Sequence, residues 1–160
     1  MTGRTGPARS RTNLRHEFDM RYDEETRKAI YAKTNGLCHL CWKPIAFSNY
    51  GAHGTRGAWE VDHSVPVSEG GTDHLNNLFS SHTACNRSKQ AASSLSARRV
   101  HGKTRAPMSA ARVQRARIEN ALIGAFAAGL CGARFGGPVG FWIGAIIGGL
   151  VSYETDPEVA

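Results

Sequence analysis

Two short pairs of metal-ligating residues stand at distant points of the chain, Cys38-x-x-Cys41 and His82-x-x-Cys85. Each pair sets two donors on one turn, and together they form the four-ligand N/S set that zinc binds tetrahedrally. Such a site closes a long loop and helps a domain with a thin apolar core to fold. His39 adjoins Cys38 as a competing ligand, but the matched spacing favours the cysteines. Between and just after these pairs lie Asp62-His63, Asn76-Asn77 and Asn86-Arg87-Ser88-Lys89. Hydrolysis of a phosphodiester needs an activated water, a cation on the phosphate and help for the leaving oxygen. A neutral imidazole suits the first task, so His63 is the candidate general base. An Asn carbonyl can hold the other ring nitrogen of such a base. Asp62, pointing away from His63, and Asn86 offer oxygen ligands to a hard cation that keeps several waters, Mg2+ or Mn2+. Arg87 and Lys89 are placed to contact phosphates. Blander roles exist for each: Asp62 as an ion-pair partner, the asparagines as turn formers, and Arg87 and Lys89 as solvated charges.

These residues need a scaffold. Residues 23–34 read as a helix, with Asp23, Glu24 and Glu25 at its positive end and Asn35-Gly36 as its stop, and Ile30 facing the following domain. Trp59 to His63 alternates as a strand does. Gly70-Gly71 marks a turn or loop, Asn77 to Phe79 is a second extended piece, and Asn86 to Ala92 is a helix. The domain organisation expected is a flexible basic arm at 1–20, a catalytic domain at 21–93, a basic linker and helix at 94–119, a Gly-rich apolar segment at 120–151 and an acidic tail at 152–160.

The string Val61-Asp62-His63-x-x-Pro66, Gly70-Gly71, Asn77-Leu78, Cys85-Asn86-x-x-Lys89 resembles the HNH endonuclease family in its zinc-binding form. The resemblance spans about residues 25–92. It implies an α+β fold, a ββα-metal hairpin and helix stapled by Cys38, Cys41, His82 and Cys85. It implies that His63 is the base, that Asn77 orients it, and that Asn86 stands at the third position, often His in the family. Losing that imidazole favours Mg2+ or Mn2+ over softer ions. His82 stands where the family usually has Cys, an equivalent zinc ligand. Asn77 is preferred to Asn76 because Leu78 follows it directly.

Small residues recur every four positions at Gly124, Ala128, Gly132, Gly136, Gly140, Gly144 and Gly148. This spacing lets helix backbones approach closely in a membrane and resembles glycine-zipper segments. Arg134 is the one charge within 120–151. Two geometries fit: a hairpin of runs 121–133 and 135–151 turning at Gly136-Gly137-Pro138, which is favoured, or one long tilted helix kinked at Pro138. A soluble oligomerisation hairpin is the rival to membrane insertion.

The net charge of +7 and pI near 9.6 suit an anionic partner. The polar N-terminal stretch does not read as a secretory signal. Three of the four cysteines have zinc-like spacing, which points to a reducing compartment. Seven basic and no acidic residues lie between Ala91 and Ile118, either gripping DNA or keeping that stretch cytoplasmic beside an apolar tail. The expectation is a DNA endonuclease with no small-molecule cofactor, cytoplasmic or on the cytoplasmic face of the inner membrane. Defence, phage biology and a toxin role are all compatible. The rivals are a non-catalytic zinc module binding nucleic acid, and a membrane oligomer with a regulatory zinc domain.

Overall fold

A computed structural model describes residues 21–157. The basic arm expected at 1–20 and the final residues of the acidic tail, Glu158 among them, lie outside the described residues. The chain divides into two compact units between Ala106 and Pro107.

In the first unit, helix α1 (Glu24–Ala32) starts where Asp23 accepts a hydrogen bond from the Thr26 backbone N–H, 2.8 Å away. It ends before Asn35 and Gly36, both at positive φ (52° and 74°). The expected strands form one antiparallel hairpin, β1 (Trp59–His63) with β2 (Leu78–His82). Its register pairs Trp59 with His82, Asp62 with Phe79 and His63 with Leu78. Helix α2 (Thr83–Lys89) follows β2 without a loop and stops at Gln90, whose φ is 51°. It begins three residues earlier than the sequence pattern indicates, so Cys85 and Asn86 sit within it. A further helix, α3 (Ser94–Arg99), capped by Ser93, occupies part of the expected linker.

Alternation along β1 sends Trp59, Val61 and His63 to one face, and Glu60 and Asp62 to the other. The core is small: Ile30, Cys38, Leu40, Ile45, Trp59 and Leu78. Trp59 is fully buried among the rings of Tyr31, Phe47 and Tyr50, and its indole N–H donates to the Phe47 carbonyl. So thin a core is the setting in which a metal staple matters most.

The second unit is a helical hairpin. Helix α4 (Ala110–Glu154), capped by Ser109, is interrupted at Gly136 (φ −132°, ψ 16°) and Gly137 (φ 58°, ψ −146°). The chain reverses there, as the favoured reading of Gly136-Gly137-Pro138 expects, and the long-helix alternative does not hold. The basic helix expected at the end of the 94–119 stretch is continuous with the first arm. The arms meet through small residues: a side chain on Gly132 would strike the Gly140 backbone, one on Gly144 that of Ala128, and one on Gly148 that of Gly124. Large residues point outward, with Phe126, Phe135, Trp142, Ile146 and Leu150 each more than half exposed.

Candidate functional site

The metal staple is built from a tight turn and the β2–α2 junction. After Cys38 the chain turns back so that the Trp42 N–H donates to the Cys38 carbonyl and the Cys38 N–H to the Lys43 carbonyl, each at 2.9 Å. Trp42 takes φ 64° to close this turn, which brings the two cysteine side chains to one point. The turn docks on β2 through the His39 N–H to the Ser80 carbonyl (2.9 Å). His82 ends β2 and Cys85 lies in the first turn of α2, completing a cluster whose ligand atoms all lie within 4.8 Å of one another. A tetrahedral zinc with bonds of ~2.3 Å to sulfur separates its ligands by ~3.8 Å, so three thiols and one imidazole at this spacing fit it. The outer bonds are also in place. His82 Nε2 lies 3.1 Å from the Pro44 carbonyl, which fixes Nε2 as the protonated nitrogen and Nδ1 as the ligand; Nδ1 is 3.4 Å from Cys41 Sγ. The His82 N–H points to Cys38 Sγ at 3.3 Å. Hydrogen bonding from the Cys41 and Cys85 thiols lowers the Cys38 pKa, while Cys41 and Cys85 are raised; the thiolate is the form that binds metal.

On the Asp62 face of β1 lies a buried polar network. Asp62 is 3 % exposed and uses both carboxylate oxygens: His39 Nε2 donates to Oδ2 at 2.7 Å and Lys89 Nζ to Oδ1 at 2.9 Å. Lys89, 4 % exposed, also donates to the His63 carbonyl at 2.9 Å. Burial lowers the His39 pKa, against the opposing effect of Asp62. The His39 Nδ1 accepts from Arg98 on α3, whose guanidinium also donates to the His39 carbonyl, both at 2.9 Å. Phe79, the register partner of Asp62, stacks on the His39 ring with centroids 5.0 Å apart.

On the opposite face, His63 stands at the end of β1 with its side chain 14 % exposed. Its Nε2 lies 2.7 Å from Asp73 Oδ1. Asp73 also accepts from Arg21 NH2 on Oδ2 (2.6 Å) and from the Tyr22 hydroxyl on Oδ1 (3.1 Å). The His63 hydrogen bond, then the Arg21 pairing, lower the Asp73 pKa to about 2. Tyr22 is pushed up to about 12, first by burial and then by Asp73. An ionised carboxylate only accepts, so Nε2 of His63 is the donor in this contact.

Asn77 braces the loop that carries Asp73. Its Oδ1 accepts from the Val65 N–H (2.8 Å), and its Nδ2 donates to the carbonyls of Val65 (3.1 Å) and Thr72 (2.9 Å). Gly70 at φ 83° and Gly71, where a Cβ would run into the Val65 carbonyl, allow the loop to fold this closely.

Several expected roles therefore change. The direct Asn77–His63 contact is replaced by Asp73–His63. Asp62 is turned toward His39 and Lys89. Lys89 is inside the domain rather than on a nucleic-acid surface, while Arg87 is exposed. Asn86 Nδ2 donates to Glu60 Oε1 at 2.9 Å instead of lying with Asp62. Apart from the zinc cluster, no three His, Cys, Asp or Glu side chains converge among the described residues. With both Asp62 oxygens engaged, these residues do not form a ready-made ligand set for Mg2+ or Mn2+. His39, Asp73 and Arg98 carry no spacing signal, and sequence reasoning passed over their roles.

Residues 38–92 match the family model described as HNH endonuclease. The Cys3His cluster within that segment is consistent with the zinc-binding form of that family. No curated protein and no solved structure matches the chain.

Proposed function

We propose that this chain is an HNH endonuclease that hydrolyses DNA phosphodiester bonds, with His63 as general base. The observation that carries the reading is His63 itself: partly exposed at the end of the stapled hairpin, Nε2 held by Asp73, Nδ1 free to take a proton. In the proposed step His63 Nδ1 removes a proton from water. The water oxygen bonds to phosphorus, the bond to the leaving sugar oxygen breaks, and solvent protonates that oxygen. Exposed Arg87, together with the net charge of +7, supports contact with the DNA backbone. Dependence on Mg2+ or Mn2+ belongs to the proposal on chemical grounds alone. The test is supercoiled plasmid with the purified protein in Mg2+, Mn2+ or EDTA, beside His63→Ala. Relaxed or linear product from the wild type, abolished by the substitution, supports it; equal conversion by both proteins ends it. A non-catalytic zinc module would bind the plasmid without converting it.

A second reading concerns residues 120–151. Glycines line the contact between the two arms while Phe126, Phe135, Trp142 and Leu150 face outward, the reverse of a soluble helical hairpin. This supports insertion into lipid. Apolar runs 121–133 and 138–151 are each about 20 Å long at ~1.5 Å per residue, against a hydrocarbon core of ~30 Å. The hairpin thus enters from one side, with Arg134 at its tip snorkelling to the far headgroups. The basic stretch before it keeps the nuclease on the cytoplasmic side. Flotation with phosphatidylglycerol-containing vesicles tests this. Protein that stays at the bottom as a soluble oligomer would replace lipid by a second copy of the chain.

A further inference from the structure

We infer that Asp73 is the positioning residue of His63, fixing the tautomer that leaves Nδ1 as the base, and that Arg21 and Tyr22 orient Asp73 for this purpose. The inference rests on the proposed nuclease chemistry for its use, but its physical content is independent of it.

The geometry sets the argument. His63 Nε2 and Asp73 Oδ1 are 2.7 Å apart, and no Asn side chain competes for that nitrogen. Asp73 lies in an exposed loop, where an unsupported carboxylate would rotate freely. Three features prevent this. Arg21 grips Oδ2, the Tyr22 hydroxyl binds Oδ1 alongside His63, and Asn77 ties the loop at Val65 and Thr72. A neutral imidazole has one N–H and one lone pair, so assigning Nε2–H to the carboxylate leaves the lone pair on Nδ1. A wrongly protonated Nδ1 could not take a proton from water, however well placed the ring.

Arg21 makes this testable in a way that plain structural support does not. A guanidinium only donates. In Asp73→Asn the amide oxygen must therefore turn to Arg21, and the NH2 group then faces His63 Nε2. His63 becomes an acceptor at Nε2 and carries its proton on Nδ1. In Asp73→Ala neither tautomer is imposed, and part of the population keeps a free Nδ1. The isosteric variant should thus be the more damaged one. A bond needed only for folding predicts the opposite order, because Asn keeps more hydrogen bonds than Ala.

The experiment uses the full-length, zinc-loaded protein with 15N-labelled histidine. Long-range 1H–15N correlation spectra report which nitrogen of each ring holds the proton, with His63 assigned by loss of its signals in His63→Ala. The expected result is Nε2–H in the wild type and Nδ1–H in Asp73→Asn. Nδ1–H in the wild type, or Nε2–H retained in Asp73→Asn, overturns the inference. The wild-type spectrum decides even where a variant fails to fold. In plasmid cleavage, kcat should fall about 100-fold or more in Asp73→Asn and roughly tenfold in Asp73→Ala, with KM little changed. Asp73→Ala as damaged as Asp73→Asn, or more so, would also overturn it. If wild type and His63→Ala cleave alike, the nuclease reading fails while the tautomer measurement still judges Asp73.

Discussion

Replacing Lys89 by Met separates two roles for this residue. The Lys89 side chain is 2 % exposed and that of Asp62 4 %; the ammonium donates to Asp62 Oδ1 and to the His63 carbonyl, each at 2.9 Å. Methionine fills nearly the same volume, so packing changes little. What is lost is the positive partner of a buried carboxylate, leaving Asp62 with the His39 N–H alone. Breaking a buried pair from one side costs about 3–5 kcal/mol, much of it the penalty of the stranded charge. Against a total stability of order 5–15 kcal/mol this is a large fraction. At a urea dependence of ~1–2 kcal/mol per molar, the midpoint should drop by roughly 1.5–5 M. Adding Asp62→Asn to Lys89→Met removes the stranded charge and should recover at least half of the loss. The assay is urea unfolding of the zinc-loaded protein, followed by tryptophan emission, to which the buried Trp59 contributes. A cost under about 1 kcal/mol for Lys89→Met, combined with weakened DNA binding, would refute the reasoning. Lys89 would then be a surface phosphate contact, as its place in the sequence motif suggested.

Removing zinc by chelation, or by Cys41→Ser, should unfold residues 21–106, because a structural zinc site supplies on the order of 10 kcal/mol and the core beneath it is small. Metal analysis with near-UV circular dichroism checks this, and unchanged Trp signals after complete zinc loss would contradict it. Gly132→Leu should force the hairpin arms apart, since even a Cβ there meets the Gly140 backbone; cysteine cross-linking between the arms should fall several-fold, and unchanged cross-linking would count against this packing. Asp73 is held at about 2, below its ordinary range, so the stability it lends is full above pH ~4 and disappears as pH falls through about 2. Its carboxyl carbon should accordingly keep its ionised chemical shift between pH 5 and 4, with the titration moving upward in Arg21→Ala. A midpoint near 4 in the wild type would show that the His63 and Arg21 bonds do not form in solution.

The sequence by itself determined the Cys3His cluster, the hairpin strand at Trp59–His63 and the reversal at Gly136-Gly137. Each depends on local spacing: x-x between ligands on one turn, alternation along one strand, a positive φ open to glycine. It also determined that the apolar arms pack through small residues, because a four-residue repeat stays on one helix face. Tertiary structure decided which polar groups meet. Asp62 and Lys89 stand 27 positions apart, and His39 and Arg98 59 apart. Their pairing follows from the strand register, from α2 starting directly after β2, and from a helix at Ser94–Arg99 that composition alone presents as linker. Asp73 reads as one acidic residue in a polar loop. It meets His63 only because Asn77 folds that loop back on the hairpin end. Residue type and spacing mark which groups are able to do chemistry; the faces and loop closures that form on folding decide which of them are neutralised inside the domain and which are left beside His63.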